Sequence, residues 1–295
     1  MSKLDELIQK LCPDGVQVFR LEEIAHYAKT RIDCKTINED NYVGVENLLQ
    51  NKAGKTKATS VPTTGMVIAY QKDDILIGNI RPYLRKVWLA DCEGGTNGDV
   101  LTVQIEDKEK VLPRFLYYVL SSEKFFLYDI QNSKGAKMPR GSKDAVMKFE
   151  VPLPPVEIQC EIVRILDNFT NLTAELTAEL TARKTQYNFY RDKLLTFESR
   201  IQLLPLKDIA KFSYGYTDKA QEHGDTRFLR ITDIAEDGTL KPDGAKYINL
   251  NGESKKYLVK KGDLLLARTG ATYGKTLYVP DDSPAVYASF LISRR

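Results

Sequence analysis

The chain has 295 residues, with 43 Lys and Arg against 40 Asp and Glu, a formal net charge of +3, and 42% hydrophobic and 28% charged residues. That length fits two domains, each able to bury its own core, and the balance is that of an ordinary globular chain and indicates neither disorder nor membrane insertion. No apolar run approaches the roughly 18 residues of a membrane span, and residues 1–6 lack the apolar core of a signal peptide, so a cytoplasmic protein with no membrane role is expected.

Residues 2–11 pattern as a short helix, with Ser2 as cap, Leu4, Leu7, Ile8 and Leu11 on one face, and Pro13-Asp14-Gly15 ending it. From Val16 to about Val103 the chain alternates strand and turn. Apolar runs at Tyr42-Val43-Gly44-Val45, Met66-Val67-Ile68-Ala69-Tyr70, Ile75-Leu76-Ile77 and Val87-Trp88-Leu89-Ala90 are separated by Gly, Pro, Asn and Asp. One curled, largely antiparallel sheet is predicted there. Pro113 opens a helical stretch with Phe115, Leu116, Val119 and Leu120, continued by Phe125, Phe126 and Ile130, and a Gly- and Lys-rich loop fills 134–141.

Val151-Pro152-Leu153-Pro154-Pro155 reads as a stiff extended hinge, because proline fixes φ and pushes its predecessor out of the helical region. Beyond it Ile158, Ile162, Ile165, Phe169, Leu172 and Leu176 alternate in steps of four and three, a coiled-coil seam that Tyr187, Tyr190, Leu194 and Phe197 resume. The shift between the two stretches comes from Thr173-Ala174-Glu175-Leu176 followed directly by Thr177-Ala178-Glu179-Leu180. A helix over 157–199 would span ~65 Å, too long for a small domain and therefore a spacer.

The remainder replays the beginning. Leu21-Glu22-Glu23-Ile24-Ala25 returns as Leu206-Lys207-Asp208-Ile209-Ala210 at an offset of 185, and the Ile75-Leu76-Ile77 strand as Leu264-Leu265-Leu266 at 189. Asp99-Val100-Leu101 returns as Ser289-Phe290-Leu291 at 190. Short apolar runs also recur by chance, but three ordered blocks at nearly constant spacing favour one scaffold carrying two recognition surfaces. Nothing after Leu203-Leu204-Pro205 matches 104–200, so a partial second copy is expected. The expected division is 1–152, 153–200 and 201–295.

Catalytic motifs are wanting. Cys12, Cys34, Cys92 and Cys160 form no C-x-x-C pair, and with His26 and His223 as the only histidines no zinc constellation is expected. Gly270-Ala271-Thr272-Tyr273-Gly274-Lys275-Thr276 has three residues between its glycines where a phosphate loop needs four. Pro242-Asp243 with Glu253-Ser254-Lys255 imitates a metal nuclease, yet the polar residues around it describe a solvated loop.

The duplicated sheet domain, the Leu-Pro-Pro hinge before Glu157-Ile158-Gln159 and Ile162-Val163-Arg164-Ile165-Leu166-Asp167, and the Thr-Ala-Glu-Leu repeat together resemble the specificity subunit of type I restriction-modification enzymes. The start, Leu4-Asp5-Glu6-Leu7-Ile8 through Val16, and Arg268-Thr269-Gly270-Ala271-Thr272-Tyr273-Gly274-Lys275 are similar to that family too. The resemblance implies an α+β fold: a mixed, largely antiparallel target recognition domain, a long coiled-coil spacer helix and a partial second recognition domain. It further implies binding to a bipartite site in double-stranded DNA, with methyltransferase subunits docked on the helix and restriction subunits joining them. S-adenosylmethionine, ATP and Mg would belong to those partners, leaving this chain without cofactor or catalysis, and the seam would also allow self-association. A coiled-coil scaffold without DNA, or a metal-dependent nuclease, are the alternatives.

A DNA-reading surface needs cations for phosphates together with donors and apolar groups for base edges. Lys52, Lys55 and Lys57 share one polar loop; Arg81, Arg85 and Lys86 flank Tyr83 just past the Ile75–Ile80 strand. Arg268, Thr272, Tyr273 and Lys275 hold the same place in the second copy, and Lys137, Arg140 and Lys143 add to the first. Ordinary solvated turns are the competing reading for each.

Overall fold

The computed structural model describes residues 2–197, 202, 204–270 and 273–294, with Arg294 as backbone only. It divides into two compact units, residues 1–188 and 189–295.

The first unit opens with α1 (Lys3–Leu11), started by a reciprocal cap in which Ser2 Oγ accepts from Asp5 N at 3.2 Å and the Asp5 carboxylate accepts from Ser2 N at 2.9 Å. Nine strands follow: β1 (Val18–Arg20), β2 (Ala25–Tyr27), β3 (Arg31–Asp33), β4 (Tyr42–Val43), β5 (Met66–Tyr70), β6 (Ile75–Gly78), β7 (Val87–Leu89), β8 (Gly94–Thr96) and β9 (Val100–Ile105). Helices α2 (Pro113–Leu120), α3 (Glu123–Gln131) and α4 (Lys143–Met147) come next, then β10 (Glu150–Pro152) and the long α5 (Val156–Leu195). Where one curled sheet was expected there are two four-stranded sheets, ordered β2-β9-β6-β7 and β3-β5-β8-β4, with β4 parallel to β8. Non-local pairing decides this, and hydrophobic runs cannot report it.

Between the two sheets lies a core of Val43, Leu48, Tyr70, Leu76, Trp88 and Val100. The opposite face of the first sheet, with Ile75, Ile77, Val87, Leu101 and Val103, is roofed by Leu116, Leu120, Phe125 and Phe126 of α2 and α3, together with Val146 and Phe149. Both faces being covered, all four positions of β6 are buried. The pair β1–β10 brings the chain back to α5, whose first turn is rooted by Ile158 and by Gln159, which accepts from Leu112 N and donates to the carbonyls of Lys110 and Pro154. Arg164, and then Lys3 from α1, hold the Glu161 carboxyl down to about 2. The helix is one residue longer at its start than the sequence predicts and ends at Leu195 rather than 199.

The second unit contains α6 (Leu206–Ile209), β11 (Phe212–Tyr214), β12 (Thr226–Leu229), β13 (Tyr247–Ile248), β14 (Leu264–Ala267), β15 (Thr276–Tyr278), β16 (Ala285–Tyr287) and β17 (Leu291–Arg294). Its main sheet runs β11-β17-β14-β15, the order of β2-β9-β6-β7. The pairing matches as well: Ile75 opposite Leu89 becomes Leu264 opposite Tyr278, and Gly78 opposite Val100 becomes Ala267 opposite Leu291. The left-handed turn before the strand repeats too, Asp73 N to Ala90 O at 2.8 Å against Gly262 N to Val279 O at 2.9 Å. The smaller sheet, β13-β12-β16, keeps the parallel pair as β12–β16. One expectation is corrected: Leu291 stands where Val100 stands, an offset of 191 and not 190. A slip of one residue exchanges the faces of a strand, so Leu291 belongs to the core between the sheets, as Val100 does.

Candidate nucleic-acid interface

Three segments distant in sequence are stitched together at the end of β6. Gly78 N bonds Lys86 O and Asn79 N bonds Asp99 O, each at 2.9 Å, which launches the turn 79–86 from the sheet. Arg81 N donates to Pro139 O at 2.7 Å and Gly141 N to Asn79 O at 3.1 Å, docking the 134–141 loop on one side. Lys52 N donates to Arg85 O at 2.9 Å, docking the 50–53 turn on the other. This rim is also where the backbone is strained: Asn51, Lys52, Arg81 and Arg85 have φ of 54°, 64°, 55° and 53°. The left-handed region costs a non-glycine residue roughly 1–2 kcal/mol. Among the described residues only Asp73 joins those four, so strain is concentrated where the candidate contacts lie.

The structure sorts the candidate cations. Lys52, Arg81, Lys137 and Lys143 are exposed and, among the described residues, their charged groups have no ion-pair or hydrogen-bond partner; Tyr83 is half exposed beside them in sequence. Arg85 is paired with Glu123 on α3, and Arg140 with Asp99 at 3.2 Å. Lys55 Nζ donates to Asp40 O at 2.7 Å and sits 5.2 Å over the Trp88 ring. Lys57 is held by Asp40 at 2.9 Å and Glu39 at 3.4 Å, which raise its ammonium above the ordinary lysine range. Lys86 turns inward, donating to Val45 O at 2.6 Å, and burial lowers its pKa. The rim thus gathers Lys52, Arg81, Tyr83, Arg85, Lys137 and Arg140 on adjoining segments, whereas Lys86 points away from solvent and Lys57 is largely neutralised.

In the second unit the turn 268–275 is launched in the same way, Ala267 N to Lys275 O at 2.9 Å and Arg268 N to Phe290 O at 3.1 Å. Its residue pairing is finer than the sequence suggested. Lys275 does occupy the place of Lys86, but Arg268 occupies that of Asn79, and the places of Arg81 and Arg85 belong to Gly270 and Gly274, with φ of 76° and 84°. The two glycines that imitate a phosphate loop are thereby explained by the left-handed positions of this turn. Arg268 Nε donates to Ser289 O at 3.2 Å with its guanidinium 4.7 Å over the Tyr214 ring, and Lys275 pairs with Glu236 at 2.6 Å. Tyr273 is 78% exposed. Thr272 lies outside the described residues.

Sequence reasoning passed over the support of this rim. Gly141 packs against Asp129 and Asn79 so closely that a Cβ there would meet their Oδ1 atoms at 2.3 and 2.8 Å. Both oxygens are buried without a hydrogen-bond partner, and burial raises the Asp129 carboxyl to about 6. The available signal was an acid on the apolar helix that carries Phe125 and Phe126. The nuclease-like motif resolves into a capped turn, Asn251 Oδ1 accepting from Glu253 N at 2.9 Å and Ser254 N at 2.7 Å. Among the described residues no group of three or more His, Cys, Asp and Glu could hold a metal ion.

Along α5, Ile158 is buried and Ile162 and Ile165 are half-buried, while Phe169, Leu172, Leu176, Tyr187, Tyr190 and Leu194 are 50% or more exposed. Within the first unit, Lys52, Tyr117, Tyr118, Phe169, Ala174 and Thr177 border an open groove of about 1330 Å³ along this helix. Thr173, Thr177, Thr181 and Thr185 each return their hydroxyl to the carbonyl four residues back, at 2.8 to 3.1 Å. The repeat therefore carries a low, internally satisfied stripe along the exposed helix. No helix among the described residues is long and apolar enough to cross a membrane.

Residues 13–183 match the model of the type I restriction modification DNA specificity domain. A putative type I restriction enzyme specificity subunit of Haemophilus influenzae is 33% identical over 186 residues, which is 59% of this chain and 46% of that protein. The EcoR124I/EcoR124II specificity subunit of Escherichia coli is 43% identical over 119 residues, 38% of this chain and 28% of the relative. The chain thus spans less than half the length of these two relatives. The type I restriction-modification S subunit from M. genitalium has a similar fold, with a TM-score of 0.55 at 15% identity over 95% of this chain and 72% of that one. With more than half of its residues matched by that domain model, the chain belongs to the family of type I restriction-modification DNA specificity proteins.

Proposed function

We propose that the chain is a DNA sequence-recognition subunit of a type I restriction-modification system, which binds a bipartite double-stranded target and directs methyltransferase and restriction subunits to it. The observation that carries this is the repeated sheet of identical order and near-identical register, which presents a strained cationic turn in one unit and a glycine turn in the other. Residues 1–152 form the first recognition domain, 153–200 the spacer and 201–295 a partial second domain. Lys52, Arg81 and Lys137, free of carboxylates, contact phosphates, while Tyr83 and the paired Arg85 and Arg140 reach base edges after exchanging partners. The chain itself performs no catalysis; S-adenosylmethionine, ATP and Mg act in the partners. Those partners, or a second copy, dock on the exposed Phe169, Leu172 and Leu176 side of α5.

The test is co-expression with a methyltransferase subunit encoded beside it and mapping of methylated sites, with the repeat as a ruler. A third Thr-Ala-Glu-Leu unit lengthens α5 by ~6 Å and rotates the chain beyond it by ~40°. One base pair rises ~3.4 Å and turns by roughly 35°. Angular phase decides, because tilt and DNA bending absorb a few ångströms more readily than a recognition turn tolerates leaving its groove. The unread gap should lengthen by one base pair with both half-sites unchanged. Altered half-site bases, or an unchanged gap, would remove α5 from the role of spacer. Exchanging Phe169 and Leu172 for Asp tests docking: co-purification with the methyltransferase subunit should be lost, and the fold retained because both side chains are already in water.

A further inference from the structure

The two units differ in what fills the space between their sheets. In the first, Tyr70 and Trp88 meet there edge to face with ring centres 5.8 Å apart, and the Tyr70 hydroxyl donates to Asn41 O at 2.9 Å. Strand pairing identifies their counterparts. Trp88 faces Leu76 as Leu277 faces Leu265, and Tyr70 follows Ala69, which faces Gly95, as Val259 follows Leu258, which faces Val286. Two large rings are thus replaced by two smaller aliphatic side chains. Ala285, preceding Val286 as Gly94 precedes Gly95, adds only a methyl at the place where a Cβ on Gly94 would meet the Tyr70 hydroxyl oxygen at 2.6 Å.

At this place the second unit keeps a cavity of about 130 Å³, bordered by Leu229, Val259, Leu277, Val279 and Ala285. Arg227 lines it too, two residues before Leu229 and therefore on the same side of β12. One terminal nitrogen of Arg227 donates to Lys241 O at 3.2 Å, but its Nε is buried with no hydrogen-bond partner, and among the described residues no carboxylate pairs with this guanidinium. Asp281 and Ser283 are exposed at the mouth, where the Asp281 carboxylate accepts from Ser283 N at 2.8 Å. The matching core of the first unit is made entirely by residues 43–100, so the cavity does not depend on the helices that follow the first sheet.

Native interiors leave few voids larger than a water molecule, and a buried N–H without an acceptor carries a further cost. Water serves poorly here, because a buried water needs about two to four polar partners and the walls inside the mouth offer one. We propose that this cavity is a binding site for a monocyclic aromatic carboxylate, its ring in the space that Tyr70 and Trp88 fill in the first unit and its carboxylate accepting from Arg227 Nε. A dry apolar cavity of about 150 Å³ takes up benzene, so one ring fits. The anionic end follows from the unpaired guanidinium, since charge-assisted hydrogen bonds are the stronger kind.

The probes are 4-fluorobenzoate and, for the ring alone, fluorobenzene, each titrated into the full chain and followed by fluorine NMR. The benzoate should bind saturably and at least about tenfold more tightly than fluorobenzene, the margin expected of a hydrogen bond to a charged group. Hydrogen exchange should slow in peptides covering 226–229 and 276–279 when it binds. Arg227→Met should erase the margin and leave fluorobenzene binding as it was, whereas Leu277→Trp, which returns a ring to the space, should abolish binding of both. Arg227 is only half-buried, so its variant decides the question even if the tryptophan variant does not fold. Absence of saturable binding, equal affinity for the two probes, or undiminished benzoate affinity in Arg227→Met would overturn the proposal. No readout involves DNA, so the result stands apart from the recognition function.

Discussion

The two units contain the same sheet under two kinds of cover. In the first, both faces are closed; in the second, only the face toward the smaller sheet is. The comparison separates what the strand pairing requires from what a roof requires. Pairing and the left-handed turn at Asp73 and Gly262 survive without the roof, so they are properties of the sheet and its inner core.

The contrast can be broken residue by residue. Replacing Ile77 by alanine leaves a cavity under α2 and α3 and should cost about 2–5 kcal/mol. Its counterpart Leu266 is half-buried, and the same change should cost at most about 1 kcal/mol. The inner pair is the control, since Leu76 and Leu265 are both 0% exposed. Alanine at either should cost about 2–5 kcal/mol to its own unit. Exchange-detected unfolding of each unit separately checks all four. Equal losses at Ile77 and Leu266 would mean that the second face is covered after all.

A second difference is the buried acid. Asp129 belongs to the roof and has no counterpart among residues 189–295. Its folded pKa, raised to about 6 by burial, exceeds the ordinary carboxyl value of 3.8. The folded state therefore binds the proton more tightly, and stability present at pH 3.8 and below is lost as pH rises through 6. Asp129→Asn should stabilise the first unit by up to about 3 kcal/mol at pH 8. The gain should fade toward pH 4 and leave the second unit unchanged. A gain that did not depend on pH would point to packing instead of charge.

Much of this was legible beforehand, for physical reasons. β5, β6 and β7 follow from compact apolar runs bounded by turn residues, and α5 from its period, because those signals are local. That the strands divide into two sheets with one parallel pair was not legible, since the partner of Tyr42-Val43 is fixed by Gly95 and Thr96 more than fifty residues away. The last repeat block was off by one residue because Leu291 and Phe290 are equally apolar in a string of letters. The rim was seen as a cluster of charges, yet the inward turn of Lys86 and the pairing of Arg85 with Glu123 depend on segments folded together from afar. Propensity places glycine at left-handed positions, so nothing marked Arg81 or Arg85 as strained.

That strain offers the smallest effect and the most discriminating one. Arg81 has φ 55° where the second unit has Gly270 at 76°, so Arg81→Gly should relieve strain and stabilise the first unit by about 1 kcal/mol. If its free guanidinium meets a phosphate, the same change should weaken DNA binding for all sequences and reduce the slope of log affinity against log salt by about 0.9. Arg85→Gly should gain less stability, because it also gives up the Glu123 pair. Gly270→Arg, placing a side chain where the second unit has none, should cost its unit roughly 1–2 kcal/mol. Thermal melts with salt-dependent binding by the assembled complex separate the possibilities. A more stable Arg81→Gly chain that binds less well marks the residue as strained for a function, whereas a more stable chain that binds as before reduces Arg81 to an ordinary solvated turn.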